Sequence, residues 1–174
     1  MILLVPLTIA CITGLVLNHT VDLDLSNRHV TADWIQKHYG MNLEGEPKAL
    51  GLDGIAYAAH WGGQIFHQKN IIDDSSTLVA AVPLRDGTAI VTSSAVHYFG
   101  LDGELIETLD SLALPATPIS RAGRTEDLTL VLETESGNFT SDTNLLDFAE
   151  TAAGQGITWS VSVSASASDV KRWK

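Results

Sequence analysis

Six histidines offer the most open chemistry in this 174-residue chain: His19, His29, His38, His60, His67 and His97. A neutral imidazole is a metal ligand and a proton acceptor near neutral pH. No two of these histidines stand four apart, as helical zinc pairs do, and none form an HxH pair on a strand. His60 and His67 fall on opposite arms of one predicted hairpin, with Trp61 between them in sequence, and His97 falls on a later strand. These three make the one candidate trio for a metal, set against the default that each is a solvent-facing or core-edge side chain. The expectation is no metal site.

The other reactive groups do not assemble a reaction. Serine, histidine and aspartate are all present, but there is no G-x-S-x-G elbow. Asp73 and Asp74 precede Ser75-Ser76-Thr77 and predict a turn. Asp22 and Asp24 stand two apart on an extended segment, whereas calcium requires a glycine-containing loop with more oxygen ligands. The glycines at 51–54 and 100–103 predict hairpin turns rather than a phosphate cradle. The chain is therefore expected to be non-catalytic. Its single cysteine, Cys11, permits no intrachain disulfide and no C-x-x-C site. The formal net charge of −11 lies after residue 20 and would repel a phosphate backbone, so nucleic acid is not an expected partner.

The elements that carry these residues begin with an apolar run. Residues 1–17 contain no charged side chain. At about 1.5 Å per residue a helix of that run reaches roughly 25 Å, slightly short of a bilayer core of about 30 Å. The run predicts an uncut transmembrane helix over 1–19, with Asn18 and His19 at the membrane boundary. A processed signal or lipoprotein junction at Ala10-Cys11 is the second reading, weakened by the missing basic segment before the run and by the apolar stretch that continues past Cys11, and a buried globular helix is the third. Asp22 and Asp24 follow the run and Arg28 is the first basic residue, so the remainder is expected to face outward. The absent basic flank makes the chain read as cut at its start.

Residues 20–50 read as a juxtamembrane segment with a short helix. Thr31 is a suitable N-cap, Asp33 and Lys37 suit the two ends of the dipole, and Gly40 stops the helix. Trp34 and Tyr39 on one face suit either lipid headgroups or the edge of a core.

From 51 to 150 the period becomes that of strands. Runs at 55–61 and 64–70 flank Gly62-Gly63, runs at 78–84 and 88–93 flank Arg85-Asp86-Gly87, and runs at 96–101 and 104–109 flank Asp102-Gly103. A further hairpin joins 128–134 to 138–141. Asp-Gly and Gly-Gly between β-prone runs are strong hairpin signals, because the tightest turns need positive φ. Gly63-Gln64-Ile65-Phe66, Ser94-Ala95-Val96-His97 and Gly137-Asn138-Phe139-Thr140 form a weak repeat, each opening a comparable strand after a small-residue turn. The units look like propeller blades, of which the chain is expected to supply about two. An open meander is the predicted architecture: mainly β, α+β overall once the helices are counted. Pro115 and Pro118 interrupt it. Residues 157–165 alternate as one strand, Ser166 or Ser168 could cap a following helix, and that helix has about one turn before the sequence stops.

The stretch with Thr13, Gly14, Leu17, Asn18 and His19, followed by Trp34, Tyr39 and Gly40 and then by DG-rich hairpins, resembles the bacterial PepSY-associated membrane proteins. In that family a first membrane helix ends in a T-G-x-x-L-N-H-like sequence and leads into an extracytoplasmic domain. The resemblance spans most of 8–165 and is strongest over 13–40. It implies an inner-membrane protein with its main domain in the periplasm or outside the cell. It also implies an accessory or regulatory role, contact with lipid and with another envelope membrane protein, and the start of an incomplete PepSY-like α/β unit at 151–174. The family usually carries a second membrane helix and a basic flank, and this chain has neither. Some relatives are linked to iron uptake or haem-dependent reduction. The alternative is thus a fragment of a haem- or flavin-linked transmembrane reductase, with His19 as a haem ligand only if partner helices enclose the cofactor. A lipoprotein solute-binding module is a second alternative.

Overall fold

Tight turns with positive φ set the architecture. Asp53 and Gly54 sit at φ 53° and 79°, and Gly62 and Gly63 at 57° and 81°, the pattern of two-residue hairpins whose twist matches that of the strands. In the computed structural model, residues 45–72, 76–152 and 156–173 are described; all belong to the unit Leu43–Lys174. The predicted transmembrane helix and juxtamembrane helix, with Asn18, His19, Trp34 and Tyr39, lie outside the described residues. Among the described residues no helix is long and apolar enough to cross a membrane.

The described residues are mainly β, in three antiparallel sheets. The first begins with β1 (Lys48–Leu52), β2 (Ile55–Trp61), β3 (Gln64–His67) and β4 (Asn70–Ile72). The second contains β5 (Leu78–Pro83), β6 (Gly87–Thr92), β7 (Val96–Gly100) and β8 (Leu105–Leu109). The third contains β9 (Ile119–Arg124), β10 (Leu130–Thr134), β11 (Gly137–Ser141) and β12 (Phe148–Thr151). Each of these sets is a four-stranded meander in chain order. Three blade-like units are present where the sequence predicts about two. The weak repeat has a structural counterpart, since its three segments run into β3, β7 and β11, the third strand of each meander.

The second sheet lies between the other two. Ala58 and Ile65 of the first sheet pack with Ala81, Ile90 and Phe99 of the second, while Val82, Val91 and Val96 of the second pack with Ala122, Leu130 and Leu132 of the third. Burial on both faces explains why β5 and β6, LVAAVP and GTAIVT, are almost continuously apolar instead of alternating.

The tail differs from the single strand predicted over 157–165. It forms β13 (Thr158–Trp159) and β14 (Val161–Val163), and these pair with different sheets. Trp159 stands opposite Gly123 of β9, and Val161 opposite Gly51 of β1. Helix α1 (Ala167–Trp173) follows. Ser166 caps it: the Ser166 hydroxyl oxygen accepts the Asp169 N–H at 3.2 Å, and Asp169 Oδ2 accepts the Ser166 N–H at 3.0 Å, a reciprocal box. Trp173 is buried with Trp61 and Phe66 against the first sheet. The described part of 151–174 thus adds strands to the first and third sheets and covers the first with a helix.

Arg124 joins the three sheets near the β9 terminus. It donates to the Pro83 carbonyl at 3.1 Å and pairs with Asp53 at 3.1 Å. The first strand also crosses position 50, where the sequence placed the end of the juxtamembrane segment.

Candidate functional site

The register places the three candidate histidines on the facing surfaces of the first and second sheets. Ala58 faces His67 and His60 faces Ile65, so both histidines share the face of the first sheet that carries Ala58 and Ile65. His97 faces Ile90, so it shares the face of the second sheet that looks back toward them. His60 is half-buried at that face. His97 is held by Thr108, with its Nδ1 3.1 Å from the hydroxyl oxygen.

His67 is the most enclosed, at 1% exposure. Its Nδ1 lies 2.8 Å from the Tyr57 carbonyl oxygen. A carbonyl only accepts, so Nδ1 carries the proton and Nε2 presents a bare lone pair. That Nε2 is buried and has no hydrogen-bond partner among the described residues. The imidazole packs on Phe99, with ring centroids 4.6 Å apart. Burial pulls its pKa below the ordinary value, the Tyr57 hydrogen bond opposes this, and the Arg172 charge adds to the lowering. Among the described residues no group of three or more His, Cys, Asp or Glu is placed to hold a metal ion. His67 is tied to the β2 backbone through Tyr57 and packs on Phe99. His19, the candidate haem ligand, lies outside the described residues.

The surface feature that the sequence did not single out is the outer edge of the second sheet. Of the five residues of β8, the first four are exposed and only Leu109 is buried. Leu105 is 54% exposed and Ile106 61%. They occupy opposite faces. Leu105 stands opposite Phe99, on the side of the first sheet. The Ile106 Cδ1 methyl fills the space beside Gly100, 3.2 Å from where a Cβ there would stand. The ladder shifts register at this point, with Tyr98 opposite Glu107 and Phe99 opposite Leu105, so Ile106 is the extra residue of a bulge.

Carboxylates surround the edge. Asp102, Glu104, Glu107 and Asp110 are all exposed, and the chain has no Lys or Arg from 86 through 120. Asp102 and Asp110 shape the turns at each end, accepting the Glu104 N–H at 3.0 Å and the Leu112 N–H at 2.9 Å. The adjoining β3–β4 turn carries exposed Lys69 and is linked to this edge by Asn70, whose amide donates to the Gly103 carbonyl at 2.6 Å. The arrangement offers an open backbone edge, aliphatic side chains on both faces and a negative border. Such a surface can pair with another strand. The signal in the sequence was present in LDGELIETL, where a strand carries adjacent aliphatics with acids on both sides.

No protein-family model, curated protein or solved structure matches this chain.

Proposed function

We propose that this chain is a non-catalytic interaction or regulatory domain, held at a bacterial inner membrane by residues 1–17 and facing the periplasm or cell exterior. Its partners would be membrane lipid and another envelope membrane protein. The single structural observation that supports the interaction role is the open edge at β8, where Leu105 and Ile106 expose aliphatic surface on opposite faces of one strand. Sheet edges of this kind are usually blunted or covered, because their unpaired backbone groups template pairing with other chains. The anchor and the orientation rest on the uncharged run at 1–17 and the acidic flank at Asp22 and Asp24. The PepSY-like sequence over 13–40 favours an accessory role in an envelope complex.

The test is photo-crosslinking in intact bacteria, with a photoreactive amino acid placed in turn in β4, β8 and β12 of the full-length chain. The reading expects a discrete adduct with a membrane protein from an edge position, in a fraction that resists carbonate extraction. If no edge position yields an adduct, or carbonate releases the chain, the corresponding half of the proposal is lost.

A further inference from the structure

The open edge also constrains the chemistry of its occupant, provided that β8 has the interaction role proposed for it. We infer that β8 accepts an extended segment of a partner whose sequence alternates apolar with basic residues, added as a fifth strand beside β8.

Three observations narrow the occupant. First, among the described residues β8 is the outermost strand of its sheet, paired to β7. Its free backbone side can continue the ladder, which gives affinity to any extended chain. Second, Leu105 and Ile106 lie on opposite faces and are both more than half exposed. An added strand places its side chains alternately on the two faces, so each of its faces meets an aliphatic neighbour. Third, Glu104 and Glu107 lie within or next to the strand and Asp102 and Asp110 flank it, with no cation of its own hairpin to neutralise them. Like charges facing each other across a ladder are unfavourable, and opposite charges favourable.

The same charge pattern argues against a second copy of this chain as the occupant. An antiparallel pair of β8 strands would bring Glu104, Glu107 and Asp110 of one copy against those of the other. A segment bearing Lys or Arg meets attraction at those positions. The other outer strands fit less well. β4 has three residues, with Ile71 as its exposed aliphatic, and Phe148 of β12 packs inward on the core.

The experiment uses the full-length chain in detergent and three eight-residue peptides. One alternates valine and lysine, one alternates valine and glutamate, and the third is the lysine peptide with a central proline that breaks strand pairing. Fluorescence anisotropy gives affinity, and amide hydrogen exchange locates protection. The inference expects the lysine peptide to bind at least tenfold tighter than either control, to slow exchange in β7–β8, and to weaken with added salt. The double substitution Glu104→Gln and Glu107→Gln, at exposed positions, is expected to reduce that affinity at least fivefold. Equal binding of the proline peptide would reduce the effect to charge alone and overturn the inference. So would protection at β4 or β12 instead of β8, or self-association of the chain through β8 with no peptide bound. These failures leave the interaction role standing if crosslinked adducts still form from the edges; loss of adducts at every edge removes both.

Discussion

Ser160 and Ala81, 79 positions apart, exchange two hydrogen bonds: the Ala81 N–H donates to Ser160 Oγ at 3.1 Å, and the Ser160 hydroxyl lies 3.3 Å from the Ala81 carbonyl oxygen. Ala81 belongs to β5, the inner edge of the second sheet. Ser160 sits between β13, which pairs with the third sheet, and β14, which pairs with the first. Its own N–H donates to the Ala122 carbonyl at 3.0 Å. One three-residue stretch, Trp159-Ser160-Val161, therefore touches the inner strand of every sheet. It satisfies polar groups of β5 that have no strand neighbour on that side, as buried backbone requires.

Ser160→Ala removes both side-chain bonds and leaves a buried N–H and C=O at Ala81 unpaired. The expected loss is about 1–3 kcal/mol, read as a lowered denaturation midpoint with an unchanged denaturant slope. Ser160→Thr retains the hydroxyl and should recover part of the loss. An alanine variant as stable as the parent would show that the strap contributes nothing.

Gly87 opens β6 opposite Gly100, close to the Phe99 backbone. A Cβ at this position would run into the Phe99 carbonyl oxygen and crowd the Tyr98 ring. Backbone cannot swing aside as a side-chain tip can, so Gly87→Ala should cost about 1–3 kcal/mol through overpacking. Gly54 provides the contrast: it has positive φ but open space around it. Gly54→Asn should be nearly neutral, because asparagine tolerates that conformation. Thermal melts of the two variants should separate clearly, and similar melts would contradict the close approach.

Helix α1 has seven residues, too few to be stable by itself. Its stability must come from the cap and from docking. Ser166→Ala should cost about 1 kcal/mol. Trp173→Ala should cost more, about 3–5 kcal/mol for a buried aromatic, and should expose the tail to protease before the sheets unfold. The Asp169 carboxyl is held below its usual range by the Ser166 side chain first and the Ser166 N–H second. The cap is thus fully present above the ordinary aspartate value of about 3.9 and is lost as pH falls through the lowered one. Proteolysis of the tail that is equal in the parent and both variants would remove this account.

The hairpins were legible because their turns are local. Asp53-Gly54, Gly62-Gly63 and Asp102-Gly103 announce themselves within a few residues. The third blade was harder to see. Its first strand, ISRAGR, alternates poorly and includes two arginines, one of which, Arg124, is used for bonds to the other sheets. β1 was hidden in KALGL ahead of its turn, and β4 is only three residues long. The break at Ser160 had no local sign, because ITWSVSVSA alternates smoothly and its partners, Gly123 and Gly51, are distant in sequence. His60, His67 and His97 lie on β2, β3 and β7, and spacing could not reveal that the Tyr57 carbonyl and Thr108 hydroxyl engage two of the rings. The β8 edge required burial on both faces to be known, and a strand pattern alone does not supply that.

His67 gives the protein a defined acid sensitivity. Burial favours its neutral imidazole, with Nδ1–H on Tyr57 and Nε2 buried without a partner among the described residues. Protonation would place a charge on the face that carries Ile65, Ile90 and Phe99, with Arg172 adding repulsion from α1 and His60 and His97 on the same two facing sheet surfaces. The unfolded chain binds this proton near pH 6.5, whereas the folded chain binds it only at lower pH. Stability from this group is therefore complete above about pH 6.5 and is lost as pH falls from there toward the lowered folded value. One proton limits the slope to about 1.4 kcal/mol per pH unit. Urea denaturation at a series of pH values should show the decline, and His67→Gln should flatten it while lowering stability at pH 7.5. Nitrogen chemical shifts should report a neutral Nδ1–H tautomer for His67 at pH 7.5 and a titration midpoint below that of an ordinary histidine. A midpoint at or above the ordinary value, or the same slope in His67→Gln, would assign the acid sensitivity to another group.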